Sequence, residues 1–202
     1  MSVNLVIIAI TCIVSFMAFN NAQLVDRLIF WPPAITRGRE YWRFATCGLI
    51  HADGMHLLFN MITLYFFGGL MENFYAQYIG PFGYVLFYVS ALVVSMIPTY
   101  MRHKNDGQYR SLGASGAVSA VLFAFILLAP WQTIYIFLIP VPSIIYAVLY
   151  LAYTVYMNKR GGDNINHSAH LSGAIYGILF TIALDPRVIG RFFDELSNPR
   201  LF

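Results

Sequence analysis

At 202 residues, with 59% of them hydrophobic, 17% aromatic and 10% charged, the chain lies far outside the soluble balance, in which about a quarter of residues carry charge. Its net charge is only +3, from 12 Lys+Arg against 9 Asp+Glu, and no basic stripe runs along any segment that would suggest nucleic acid, so no nucleic-acid partner is expected. The charges cluster between long apolar stretches, as the cost of placing charge in hydrocarbon demands; the class is an all-α polytopic membrane protein whose first partner is the lipid bilayer.

A first apolar helix is predicted from about residue 3 to 19. No Lys or Arg precedes it, so it lacks the charged n-region of a cleaved signal peptide, and it is slightly short for a span. Residues 20–50 change character: Asp26, Arg27, Arg37, Arg39, Glu40 and Arg43 mix with Phe30, Trp31, Pro32, Pro33, Tyr41 and Trp42. This mixture is too apolar for a linker, and a structured loop on or in the membrane interface is expected. The second helix, from about 51 to 74, begins at His51 and carries His56 and Asn60. Residues four apart share a face, about 6 Å apart along the axis. Gly68 and Gly69 mark weak or closely packed helix, and Glu72 lies near its end.

Gly80, Pro81 and Gly83 punctuate the next connection, and a third helix is predicted over about 84–100, followed by a charged loop at 102–110. The fourth helix opens with Gly113-Ala114-Ser115-Gly116 and ends near 129–130. Residues 131–143 are β-branched and aromatic but broken by Pro140 and Pro142, a connection lying against the membrane and not a span. Helix five covers about 144–157, a hydrated loop follows at 159–164, and helix six covers about 166–184 before a short polar tail. Six spans place both termini on one side, in a single domain over residues 1–202.

Ser115 alone invites the ordinary reading of a helix serine bonded back to its own backbone. Ionisable groups inside apolar helices point further. His103 belongs to a solvated loop, but His51 and His56 sit on the second helix and His167 and His170 on the sixth. After His170 come Gly173, Ala174 and Gly177, a face almost without side chains. Small residues at this spacing admit a second helix closely, and the partner is the one offering Gly113, Gly116, Ala117 and Ala120. That contact brings His170 to Ser115; the plain alternative is packing glycines with a histidine bonded to a carbonyl.

The fitting chemistry is nucleophilic acyl transfer, because a serine needs a base within reach and its intermediate needs oxyanion donors. His56, Asn60 and the first amides of helix four are available as donors. Asp53, Asp106 and Asp163 fall in loops or helix ends, so a Ser-His dyad without a third member is the economical reading. Neither metal nor cofactor is expected. Cys12 and Cys47 make no ligand spacing or disulfide framework, and the histidine pairs at i+5 and i+3 lack a convergent carboxylate or thiolate.

In this order the residues resemble the rhomboid family, specifically the bacterial six-helix intramembrane serine proteases. The resemblance rests on Trp42-Arg43, the run from His56 to Asn60, Gly68-Gly69 followed by Glu72, Gly113-Ala114-Ser115-Gly116, and Ala169-His170 with Gly173 and Gly177. It implies Ser115 as nucleophile, His170 as general base, and His56, Asn60 and the Ser115 amide as oxyanion donors. His51 would support the first loop, and residues 158–166 would form a mobile cap over a water-filled cavity. Substrates would be membrane proteins with a helix that can unwind near its extracytoplasmic end, cleaved at a bacterial inner membrane. A non-catalytic rhomboid-like protein that binds membrane clients is the alternative; such relatives lack the nucleophile or the base, and both are present here. The residues name neither a substrate nor an oligomeric state.

Two features depart from the family pattern. Many bacterial members carry, four positions after the nucleophile, an aromatic residue that packs on the catalytic histidine; here that position is Ser119, so another aromatic must hold the ring or it is held less firmly. The odd-numbered loops carry nine Lys and Arg, from Arg27 to Arg160, against Arg187, Arg191 and Arg200 elsewhere. By the positive-inside tendency those loops belong in the cytoplasm, whereas the resemblance implies cytoplasmic termini and a site opening outward.

Overall fold

A computed structural model describes residues 2–136 and 138–199. Phe137 of the predicted connection, and Arg200 of the charge comparison, lie outside the described residues. Helix α1 spans Val3–Phe19, the limits its apolar run predicts. Its start is fixed by Glu72, whose carboxylate accepts the Ser2 hydroxyl at 2.6 Å and the amides of Val3 and Asn4 at 2.7 and 3.0 Å. A helix leaves its first amides without partners, and a carboxylate at that end answers both the missing acceptors and the dipole.

The first loop folds into α2 (Ala22–Leu28), α3 (Pro32–Gly38), α4 (Arg43–Thr46) and a 3-10 turn at Cys47–Leu49. Pro32 and Pro33 open α3, where a missing N–H costs nothing. Phe30, Ile35 and Cys47 are buried with Met96 and Ala169 in a small core of their own. Arg43 organises the loop: its Nε donates to Glu40 and its Nη1 to the carbonyls of Asp26 and Ile29, both at 2.7 Å. Its neighbour Trp42 is exposed.

The second predicted helix runs continuously over Gly54–Ile79, starting three residues later than expected, so that His51 precedes it, and ending five residues later, as α5 (Gly54–Thr63), a π turn at Leu64–Gly68 and α6 (Gly69–Ile79). The Asn4 side chain donates to the Leu64 carbonyl at 2.8 Å and accepts the Tyr84 hydroxyl at 2.9 Å, beside a turn whose wider winding disturbs the backbone ladder. A Cβ on Gly68 would lie 2.1 Å from Asn4 Oδ1, whereas one on Gly69 would meet nothing within 4 Å. Only the first of the two glycines is a packing residue.

Helix α7 (Gly83–His103) carries Pro98 inside it, and α8 (Ser115–Leu128) follows as the axis of the bundle. From Gly116 to Leu127 every residue of α8 is buried, the mark of a helix apolar all round. The connection after α8 is an antiparallel hairpin, β1 (Thr133–Ile136) and β2 (Ile139–Pro142), with Thr133 opposite Pro142; its β-branched residues suit the pleat. Helices α9 (Ser143–Arg160) and α10 (His167–Leu184) complete six long helical segments. Of these, Gly54–Ile79, Gly83–His103 and His167–Leu184 are long and apolar enough to cross a bilayer by length and composition, and Val3–Phe19 and Ser115–Leu128 are shorter apolar helices.

The expected polar tail is instead a helix, α11 (Arg187–Ser197). Val188, Ile189, Phe192, Phe193 and Leu196 recur at helical spacing, and Val188 is buried; that period outweighs the charges between them. Tyr78 donates to Asp185 at 2.7 Å while Ser2 donates to Glu72 on the same helix α6, so both ends of the described chain lie at one end of the bundle.

Candidate active site

At the opposite end of the bundle, the start of α10 is held by Asn166. Its Oδ1 accepts the Ala169 amide at 3.0 Å and the Thr99 hydroxyl at 2.9 Å, and its Nδ2 donates to Ser111 Oγ at 3.3 Å. One side chain thus caps the helix and ties it to α7 and to the segment leading into α8. Further along, α10 lies directly on α8. A Cβ on Gly173 would be 1.9 Å from the Gly116 carbonyl oxygen, and one on Gly177 would be 2.1 Å from that of Ala120. Main chain touches main chain, as the small-residue spacing predicts, and Ser115 Oγ comes to 2.7 Å from His170 Nε2. With its ring proton on Nδ1, His170 accepts the serine hydroxyl.

Facing this pair is α5. Its N-terminus is capped by Asp53, which accepts the His56 amide at 2.8 Å. The His56 ring lies over Gly113, where a Cβ would sit 2.6 Å from the ring's Cε1 and where φ is +110°. Gly113 is therefore required twice, by its left-handed backbone and by the ring above it. Asn60 is buried and donates one N–H to the His56 carbonyl at 2.9 Å; an amide has a second to give. Ser115, His170, His56, Asn60, Gly113 and Gly116 all line one cleft of about 760 Å³.

His51 sits behind the cleft. Its Nε2 faces the Ala114 amide at 3.4 Å and its Nδ1 the Ser15 hydroxyl at 2.9 Å, and that hydroxyl also donates to the Leu49 carbonyl at 2.9 Å. These partners fit one tautomer: Nδ1–H donates to Ser15 and Nε2 accepts from Ala114. His51 thus joins α1, the end of the first loop and the turn before Ser115. Arg43 supports the loop from farther out, and Glu72 caps α1 at the other end of the bundle.

The three loop acids are engaged elsewhere. Asp53 caps α5, Asp106 pairs with His103, and Asp163 accepts from His167 Nε2 at 3.0 Å. That hydrogen bond from His167 holds the Asp163 carboxyl below its ordinary pKa. His103 is less free than a solvated loop residue, being stacked on Tyr109 at 3.8 Å. Among the described residues no group of three or more His, Cys, Asp or Glu converges.

Among the residues of the cleft that sequence reasoning missed are Asn166 and Tyr150. Tyr150 of α9 lies on His170 with ring centroids 6.2 Å apart and planes 24° apart, and its hydroxyl is 2.7 Å from Ser119 Oγ. The only sequence signal was Ser119 itself, the polar residue at a position expected to be aromatic.

A family model described as the Rhomboid domain matches residues 38–187. "RHOMBOID-like protein 12, mitochondrial" of Arabidopsis thaliana is 31% identical over 175 residues, covering 80% of this chain and 51% of that protein. "Rhomboid protease GlpG" of Haemophilus influenzae is 26% identical over 154 residues, 76% of this chain and 74% of that protein. "Putative rhomboid protease YdcA" of Bacillus subtilis is 30% identical over 142 residues, 70% of this chain and 66% of that protein. The chain thus spans about half the length of the first of these relatives and about two thirds to three quarters of the bacterial two. The domain match covers five of the six long helical segments, all but α1, together with Ser115, His170, His56 and Asn60 of the cleft, and the chain belongs to the rhomboid family.

Proposed function

We propose that this protein is an intramembrane serine endopeptidase that hydrolyses a peptide bond in or near a transmembrane segment of other membrane proteins. The observation that carries the reading is the 2.7 Å approach of Ser115 Oγ to His170 Nε2 in a cleft shared with His56 and Asn60. Ser115 Oγ attacks the scissile carbonyl carbon as its proton passes to His170 Nε2, and the carbonyl π pair moves to oxygen. The Asn60 amide, the His56 ring N–H and the Ser115 backbone amide stabilise that oxyanion. Collapse breaks the C–N bond, with the His170 proton going to the leaving amine. Water then repeats the sequence on the acyl-enzyme and returns the proton to Ser115.

The test is cleavage of a reporter-tagged membrane substrate in detergent by the wild type, Ser115→Ala and His170→Ala. Wild-type cleavage with loss in both variants supports the dyad. Equal cleavage by Ser115→Ala would sink the serine mechanism, and a wild type that neither cleaves nor takes a fluorophosphonate would favour the client-binding alternative. A metal-dependent hydrolase would lose activity to chelators, and the dyad enzyme keeps it.

The cleft end faces the extracytoplasmic side of a bacterial inner membrane in this proposal, against the count of positive charges. One of those charges is tied up by the fold: Arg43 is buried on loop carbonyls and paired with Glu40. Such a group contributes less to headgroup attraction than the free charges on which the tendency rests. A reporter fused after Phe202, outside the described residues, should read cytoplasmic; an extracytoplasmic signal refutes this orientation.

A further inference from the structure

His170 has no carboxylate partner among the described residues, because Asp163 bonds His167 and Asp53 caps α5. Packing must therefore set its ring orientation. One face lies against Tyr150, in the offset geometry aromatic rings favour. Tyr150 is itself fixed at its far end, where its hydroxyl meets Ser119 at 2.7 Å, and on its flank by Phe123 at 5.4 Å. Ser119 stands one turn beyond Ser115 on the same helix, so the tyrosine bridges the helix of the serine and the ring of the histidine.

We propose that Tyr150 is a positioning residue for His170 and that Ser119 is its anchor. The small side chain at 119 leaves room for a ring from α9 and supplies the hydroxyl that fixes it. Helices α9 and α10 run antiparallel, and Tyr153 packs on the edge of His167 at 5.8 Å, so two tyrosines one turn apart meet two histidines one turn apart. The dyad base is thereby tuned by the placement of α9, a helix that contributes no reacting atom.

This inference rests on the Ser115–His170 reading. Its test is the steady-state kinetics and fluorophosphonate labelling rate of Tyr150→Leu, Tyr150→Phe, Ser119→Ala and the exchange Ser119→Tyr with Tyr150→Ser, with thermal unfolding of each variant in detergent. Tyr150→Leu should lower kcat and the labelling rate together by about 10- to 100-fold, with KM within about threefold, since small misplacements of a reacting group cost on that scale. Tyr150→Phe and Ser119→Ala keep the ring and lose its anchor, so they should fall less, by about three- to tenfold. The exchange should recover most of the labelling rate by offering a ring from the other helix. Wild-type kcat and labelling in Tyr150→Leu would overturn the assignment, as would a loss confined to KM or one that only tracks unfolding. Cleavage by Ser115→Ala would instead defeat the dyad itself, so the two failures are distinguishable.

Discussion

Helix α10 touches its neighbours in two different ways. Against α8 it is main chain on main chain, with Gly173 and Gly177 leaving no room for a Cβ; against α9 it is ring on ring, through Tyr150 on His170 and Tyr153 on His167. A backbone contact fixes a distance that no rotamer can adjust, whereas a side-chain contact sets an orientation within it. The first contact brings Ser115 and His170 together, and the second aims the imidazole. Damage to the first should therefore appear as loss of the fold and its activity together. Damage to the second should appear as a change in rate in a folded protein.

The largest effect should come from Gly173→Val. Its Cβ would start 1.9 Å from the Gly116 carbonyl oxygen, a backbone atom that cannot rotate away, so α8 and α10 must separate. Overpacking a well-packed contact costs about 1–3 kcal/mol and at times more, and backbone in both helices puts this case at the upper end. Cleavage should vanish, and the unfolding temperature in detergent should fall with it. A variant of wild-type stability that had lost only activity would break the distinction between the two contacts.

Next in size is Asn60→Ala, which leaves both contacts of α10 intact and acts from across the cleft. If Asn60 donates to the oxyanion, kcat should fall by about 10²–10³, or 2.7–4 kcal/mol, with the remaining donors sustaining some turnover. Unfolding should shift modestly, because the side-chain bond lost is to the His56 carbonyl of its own helix. Full retention of kcat would remove Asn60 from the oxyanion role and leave it a buried helix residue.

The two contacts also differ in how legible they were in the sequence. Gly173 and Gly177 on one helix and Gly116 and Ala120 on the other form a period, and a period of small residues has one physical use in an apolar helix; the approach of Ser115 to His170 follows from it. Tyr150 stands in a row with Tyr146 and Tyr153 at helical spacing, and only the tertiary placement of α9 selects the one that meets His170. What could be read was a deficit at Ser119, not the residue that fills it. The long apolar helices were legible from composition, and α1 to its end residues. The short helices of the first loop were hidden because they are stabilised by long-range bonds such as Arg43 to the Ile29 carbonyl, and α11 because charged residues mask its apolar period.

The smallest effect is expected at the other end of α10, farthest from either contact. Asp185 accepts from Arg187 Nε at 2.7 Å, from the Arg187 amide at 3.1 Å and from Tyr78 at 2.7 Å, closing α10 onto α6 and starting α11. The hydrogen bond from Arg187, and after it that from Tyr78, holds the Asp185 carboxyl well below the ordinary carboxylate range. A carboxyl that ionises more readily folded than unfolded contributes fully above its unfolded pKa of about 4. That contribution is lost as pH falls from there toward the folded value. Asp185→Asn removes the titrating group, so its unfolding temperature should sit slightly below that of the wild type at neutral pH, with the two converging as the solution is acidified below about pH 4. The Ser115 labelling rate at neutral pH should be unchanged, because this junction lies beyond the glycine contact that sets the site. A matching loss of labelling would mean that the α8–α10 contact transmits strain along its whole length, and the backbone contact would then be adjustable after all.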